Sequence, residues 1–125
     1  MALTKFPEGI LDGSEVRKNS NYTVVINTDS GKTFITEDSI VFTLPSIAVG
    51  NTFTFIYDGN DSDGSITISP AALDAISYVG SQVDNKDLIL TSATAKRGDR
   101  VTIASLNGIA SWQVVDVRGI WVKEA

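Results

Sequence analysis

The side chains that could do chemistry in this chain are its acids, because histidine and cysteine are both absent from its 125 residues. Without them a Ser-His-Asp triad, a Cys-His dyad and a His- or Cys-ligated zinc site are all excluded. The densest acidic cluster is Asp58–Gly64, DGNDSDG, with Asp58, Asn60, Asp61 and Asp63 in one short run. Oxygen ligands at that density suggest calcium, but an EF-hand loop needs glycine at its sixth position and glutamate at its twelfth. Counted from Asp58, those positions hold Asp63 and Ser69. The run therefore reads as an Asx-rich turn, and no metal is expected. Other acids sit as neighbours: Glu37 with Asp38, and Asp84 with Asp87. A glycosidase needs two carboxylates on opposite sides of a bond, and nothing in the spacing puts two of these across a cleft. No enzyme and no cofactor are expected.

Arg97-Gly98-Asp99 spells an integrin-type tripeptide, yet Gly-Asp before a strand is an ordinary tight turn. Trp112, Trp121 and Tyr57 could build a sugar-stacking platform. Trp112 shares a face with Val114 and reads as core. Trp121, beside Gly119 and near the end of the chain, is the better interface candidate. Four apolar residues in an otherwise polar start, Leu3, Phe6, Ile10 and Leu11, are the other candidates for contact with a partner. The formal charge of -5 repels phosphate backbones, so nucleic acid is not an expected partner. No apolar run reaches the length of a membrane span, and no signal peptide is visible.

These residues must be held by strands. From Lys96 to Val122, alternating runs around Val101 and Ile103 and around Trp112 and Val114 flank Asn107-Gly108, a pair that favours a hairpin turn. Alternation also predicts strands over 22–27, 32–36, 39–44, 52–58, 65–69, 87–91 and 120–122, separated by Gly-, Asp- and Asn-rich turns. Phe53, Phe55 and Tyr57 share one face of the clearest of them. Pro70 opens a run with apolar residues at 73, 76 and 79, which predicts a short helix or helical turn, an irregular stretch being the alternative. The expected fold is all-β: an antiparallel sandwich or barrel of about eight short strands with at most one short helix. It divides into an extended N-terminal arm over 1–21 and a β domain over 22–125.

Five stretches in order, Phe42–Pro45, Ile66–Pro70, Lys86–Ile89, Ala93–Asp99 and Trp112–Trp121, give the chain from about 40 to 124 a family likeness. It resembles small head proteins of tailed bacteriophages, the decoration (cement) or head-fibre-like proteins. The arm is not part of the likeness. The resemblance implies a homotrimer on the outer surface of a phage head, made in the host cytoplasm, that bridges major capsid protein subunits and stabilises the shell. Leu3, Phe6, Ile10, Leu11 and Trp121 are then the candidate partner contacts. The rival expectation is a receptor- or glycan-binding module of a tail fibre or spike, working through exposed aromatics and the Asp58–Gly64 loop.

Overall fold

The computed structural model describes residues 14–106 and 111–125. In chain order the described strands are β1 (Glu15–Arg17), β2 (Tyr22–Thr23), β3 (Thr33–Thr36), β4 (Ile40–Thr43), β5 (Thr52–Tyr57), β6 (Ile66–Ser69), β7 (Ala75–Ser77), β8 (Leu88–Leu90), β9 (Arg100–Ser105), β10 (Ser111–Arg118) and β11 (Trp121–Lys123). They form a six-stranded sheet ordered β1-β3-β5-β9-β10-β7 and a five-stranded sheet ordered β11-β8-β6-β4-β2. The only helical element among the described residues is one 3-10 turn, Ser92–Thr94.

The two sheets share one core. Alternation puts Phe53, Phe55 and Tyr57 inward from β5, facing Ile40 and Phe42 of β4 and Ile66 and Ile68 of β6. Phe42 bridges the layers, its ring 5.6 Å from Phe34 and 4.8 Å from Phe55, while Phe53 lies 5.5 Å from Trp112. Each such side chain contributes about 1.5–3 kcal/mol by leaving water, and tilted ring pairs of this kind add about 0.5–1.5 kcal/mol more.

Pairing departs from the expected antiparallel pattern. The first six strands alternate between the sheets, so the neighbour of each strand is the next but one in sequence and runs the same way. Hence β1/β3, β3/β5, β2/β4 and β4/β6 are parallel, as is β7/β10. Among the described strands, antiparallel pairing is confined to β5/β9, β9/β10, β6/β8 and β8/β11. Parallel neighbours need a crossover, and here the crossover is a strand of the other sheet.

Three local expectations also change. The segment 70–79 carries no helix: Ala75–Ser77 is β7, paired with β10. Ile76 of the supposed helical face is buried, whereas Leu73 and Val79 are 86% and 84% exposed. Strand 22–27 stops at Thr23 because the buried Asp29 carboxylate accepts the Val25 N–H at 2.8 Å and turns the chain, with Asn27 at φ 64. Within the segment 1–21, Glu15–Arg17 is an edge strand in register with Thr33–Ile35. The rest of that segment to residue 13, with Leu3, Phe6, Ile10 and Leu11, lies outside the described residues, as does the Asn107-Gly108 turn. The runs that flank this turn do pair as a hairpin, Val114 opposite Ile103 and Val117 opposite Val101.

Candidate functional site

The acidic loop and the basic turn meet, and they do so through backbone. Arg97 donates from its side chain to Gly59 O at 3.3 Å and Asn60 Oδ1 at 3.2 Å, and from its N–H to Asp61 at 3.1 Å. Ser62 donates its N–H to Ala95 O at 2.8 Å. Asp58 accepts from Arg17 at 3.0 Å, and Arg17 also approaches Glu37 at 3.5 Å. Exposed pairs of this kind each contribute about 1 kcal/mol or less, so they set the loop's position more than its stability. Among the described residues no three acids are grouped so as to hold a metal ion.

Asp99 of the Arg-Gly-Asp tripeptide is buried and works inside its own turn. Its Oδ2 accepts the Lys96 N–H at 2.9 Å, and its carbonyl accepts the Tyr57 N–H at 2.9 Å. Gly119, at φ 101, lies against the same carboxylate: a Cβ there would stand 2.6 Å from Oδ2. Gly119→Ala combines a backbone conformation closed to alanine with an overlap the fixed turn cannot relieve. We expect a loss of about 2–3 kcal/mol in urea denaturation; an unchanged midpoint would show that the turn yields.

The three aromatics of the possible sugar platform are all core residues. Tyr57 and Trp112 are fully buried, and Trp121 is 4% exposed. Tyr57 donates its hydroxyl to Asn60 O at 2.6 Å, and Trp121 donates Nε1 to Arg118 O at 3.0 Å. As an interface candidate Trp121 is therefore corrected: its indole faces its own protein, because Val122 and not Trp121 is the outward residue of β11.

Buried polar groups are likewise spent internally. Asp29 accepts from Tyr22 Oη at 2.7 Å, Val25 N–H at 2.8 Å and Lys32 Nζ at 2.9 Å. Burial alone would push its carboxyl up, but the Val25, Lys32 and Tyr22 donors outweigh burial and hold it below its ordinary value. The Tyr22 hydroxyl is raised, chiefly by donating to that carboxylate. Asn51 accepts the Asn27 N–H on Oδ1 at 2.7 Å and donates its own backbone N–H to Ser105 Oγ at 2.8 Å. Asp74 accepts the Ile47 N–H at 2.8 Å. Thr36 accepts the Asp38 N–H at 3.0 Å, and Ser111 shares a hydrogen bond with Ser77 at 2.8 Å.

No protein-family model matches the chain, and no curated protein does. Function has to be read from the surface that the fold leaves open.

That surface is the outer edge of β10. β7 accompanies β10 only over Ser111–Gln113 and then turns away at Val79-Gly80. Beyond Gln113 no strand among the described residues takes up the line that β7 would have followed. The resulting notch, about 500 Å3, is lined by Ser77–Gly80 and Gln113–Val117. Val79 stands at its lip at φ 50, a left-handed conformation that a β-branched residue rarely adopts. Val115, in the bulge between Val114 and Asp116, and Val117 are both exposed beside it. Ile120 and Val122 are exposed as well. Around the strand end, Lys96, Arg97 and Arg118 line a second cavity with Asp61, Asp99 and Ile120, and Lys96 lies 3.9 Å from Asp61. Sequence reasoning assigned Val114–Val117 to a strand without seeing that half the strand lacks a neighbour. The signal available was length: Ser111–Arg118 is the longest alternating run, and its apolar residues occupy both faces.

Proposed function

We propose that this chain is a structural virion protein, a capsid decoration (cement) protein that sits as a homotrimer on the outer surface of a phage head and bridges major capsid protein subunits. One observation supports the reading most directly. Each buried carboxylate, hydroxyl and amide side chain among the described residues is committed to an internal hydrogen bond, and the buried Trp112 Nε1 is without a partner, so the chemistry left open is contact: an apolar strand edge and the arm. A two-sheet β-sandwich body is a stiff clamp, and a net negative charge keeps decorated particles apart. The arm residues Leu3, Phe6, Ile10 and Leu11 supply apolar area to neighbours. At about 25 cal/mol per Å2 a few hundred Å2 gives several kcal/mol per arm before ordering costs, and trimerisation multiplies modest contacts. The fibre-module reading gains nothing from the aromatics, which are buried.

The test mixes purified protein with emptied phage heads and measures occupancy by sedimentation and cryo-electron microscopy. The expected result is saturable decoration of the outer shell. A chain lacking residues 1–12 is expected to keep its thermal transition and lose shell binding. Full occupancy by the shortened chain would remove the arm from the mechanism. Association of the whole chain with tails instead of heads would remove the decoration reading.

A further inference from the structure

We propose that the cavity at the end of β10, between Arg118 and the Asp58–Gly64 loop, binds a carboxylated sugar: the Arg118 guanidinium takes the carboxylate, and Asp61 and Thr94 take hydroxyls. The site lies apart from the arm and the notch, and the decoration reading neither requires it nor forbids it.

Arg118 carries the inference. Arg17 and Arg100 are bonded to carboxylates at 3.0 Å and 2.8 Å, and Arg97 is spent on Gly59 O and Asn60 Oδ1. Arg118 is exposed, and its side chain forms no ion pair or hydrogen bond among the described residues. Its place in the ladder makes that isolation unfavourable. It stands directly opposite Arg100 on β9, and like charges in that relation repel. Asp116 is bonded to Arg100. A guanidinium beside another cation, with its own fork unfilled, suits a carboxylate, whose two oxygens match two parallel N–H donors.

The walls say what else the ligand carries. The cavity, about 420 Å3, falls in the range of small-molecule sites and has room for a sugar ring. Lys96, Arg97 and Arg118 line it against the carboxylates of Asp61 and Asp99, a surplus of one positive charge. That balance suits a monoanion. A phosphate dianion or a nucleic-acid strand would bring more charge than the walls offset, against a chain of formal charge -5. Asp99 is turned inward on the Lys96 N–H. Asp61 accepts the Arg97 N–H on Oδ1 at 3.1 Å, while its Oδ2 lies 3.9 Å from Lys96 Nζ, beyond hydrogen-bond distance. That oxygen can accept a ligand hydroxyl. Thr94 and Thr91 share one hydrogen bond at 3.1 Å between their two hydroxyls, so one O–H is left to donate. The exposed Ile120 gives apolar surface for the C–H face of a ring. A carboxylate, neighbouring hydroxyls and a C–H face on one small ring describe a uronate-type sugar.

The experiment titrates isotope-labelled full-length protein with glucuronate at about 50 mM salt, where surface charge is only partly screened, and follows amide shifts by NMR. The expected result is saturable shifts at Asp61, Thr94, Gly119 and Ile120, with a Kd of roughly 1–10 mM for one exposed ring. Glucose, which lacks the carboxylate, and acetate, which lacks the ring, are each expected to bind about ten-fold more weakly or worse. Arg118→Gln is expected to weaken glucuronate binding by a similar factor while melting no lower than the parent, because it also removes the repulsion from Arg100. Arg118→Lys keeps the charge without the fork and is expected to fall between them. A residue that served only the fold would lose stability on substitution and leave the affinity alone. No saturable shift below roughly 50 mM glucuronate, shifts that miss these residues, acetate or inorganic phosphate binding as tightly as glucuronate, or an Arg118→Gln protein that binds like the parent overturns the proposal.

Discussion

Asp29→Ala is expected to lower the free energy of unfolding at pH 7 by about 3–5 kcal/mol, the cost of breaking a buried, hydrogen-bonded ion pair. The substitution leaves three donors without an acceptor: Tyr22 Oη, Val25 N–H and Lys32 Nζ. Lys32 is partly exposed and can turn to water, but Asp29 itself is 2% exposed in its side chain, so the cavity left behind stays dry on that side. Asp29→Asn keeps an acceptor for Val25 and should fall between alanine and wild type. The pH dependence separates charge from shape. The folded-state pKa of Asp29 lies below its ordinary value, so folding is favoured by this carboxylate at pH above its unfolded value of about 3.9. That contribution is lost as pH falls through the lower folded value. The gap in stability between wild type and Asp29→Asn should accordingly be constant from pH 7 to about 5 and shrink below about 4. Urea denaturation of both proteins at several pH values measures it. A gap that does not change with pH would mean that the carboxylate acts as a neutral acceptor.

How much of this could be read from the residues alone depends on whether the determining interaction is local. Strands β5, β6, β9 and β10 were legible because alternation is a local property: Phe53, Phe55 and Tyr57 point one way whatever lies beside them. Direction was not, since the side-chain pattern of a strand is the same against a parallel or an antiparallel neighbour; Phe34 pairs with Phe55 in parallel and Phe55 with Val101 in antiparallel register. β1 and β7 were missed for another reason. Glu15–Arg17 lies in a polar, glycine-containing stretch with a single apolar residue, Val16, and Ala75–Ser77 lies in a run whose apolar spacing at 73, 76 and 79 is helical; both are strands through pairing with β3 and β10. The end of β2 turns on Asp29, whose capture of Val25 could not be foreseen from an Asp-Ser-Gly turn. The notch left only an indirect trace, the length of Ser111–Arg118 and its apolar residues on both faces, which does not say where a neighbour stops.

Trp121→Ala is expected to cost about 3–5 kcal/mol of stability, at least as much as any substitution on the molecular surface and a large share of the roughly 5–15 kcal/mol that a domain of this size possesses. Its position explains both the size of the effect and why the sequence pointed elsewhere. Near the chain end and two residues after Gly119, a tryptophan looks free to meet a partner. Yet the left-handed Gly119 lets the chain cross from one sheet to the other, and the first residue of β11 then swings inward opposite Leu90. The indole Nε1 closes back on Arg118 O, so the ring fastens the crossover as well as filling the core. Loss of the ring should unpin β11 as a unit: amide exchange at Val122 and Lys123 should accelerate together, because their ladder to β8 has no other anchor of comparable size. Trp121→Phe keeps most of the buried area but not the hydrogen bond, and should cost about 1–2 kcal/mol. The opposite pattern, a fully stable Trp121→Ala protein that fails to assemble, would return the residue to the interface and require β11 to open when copies meet.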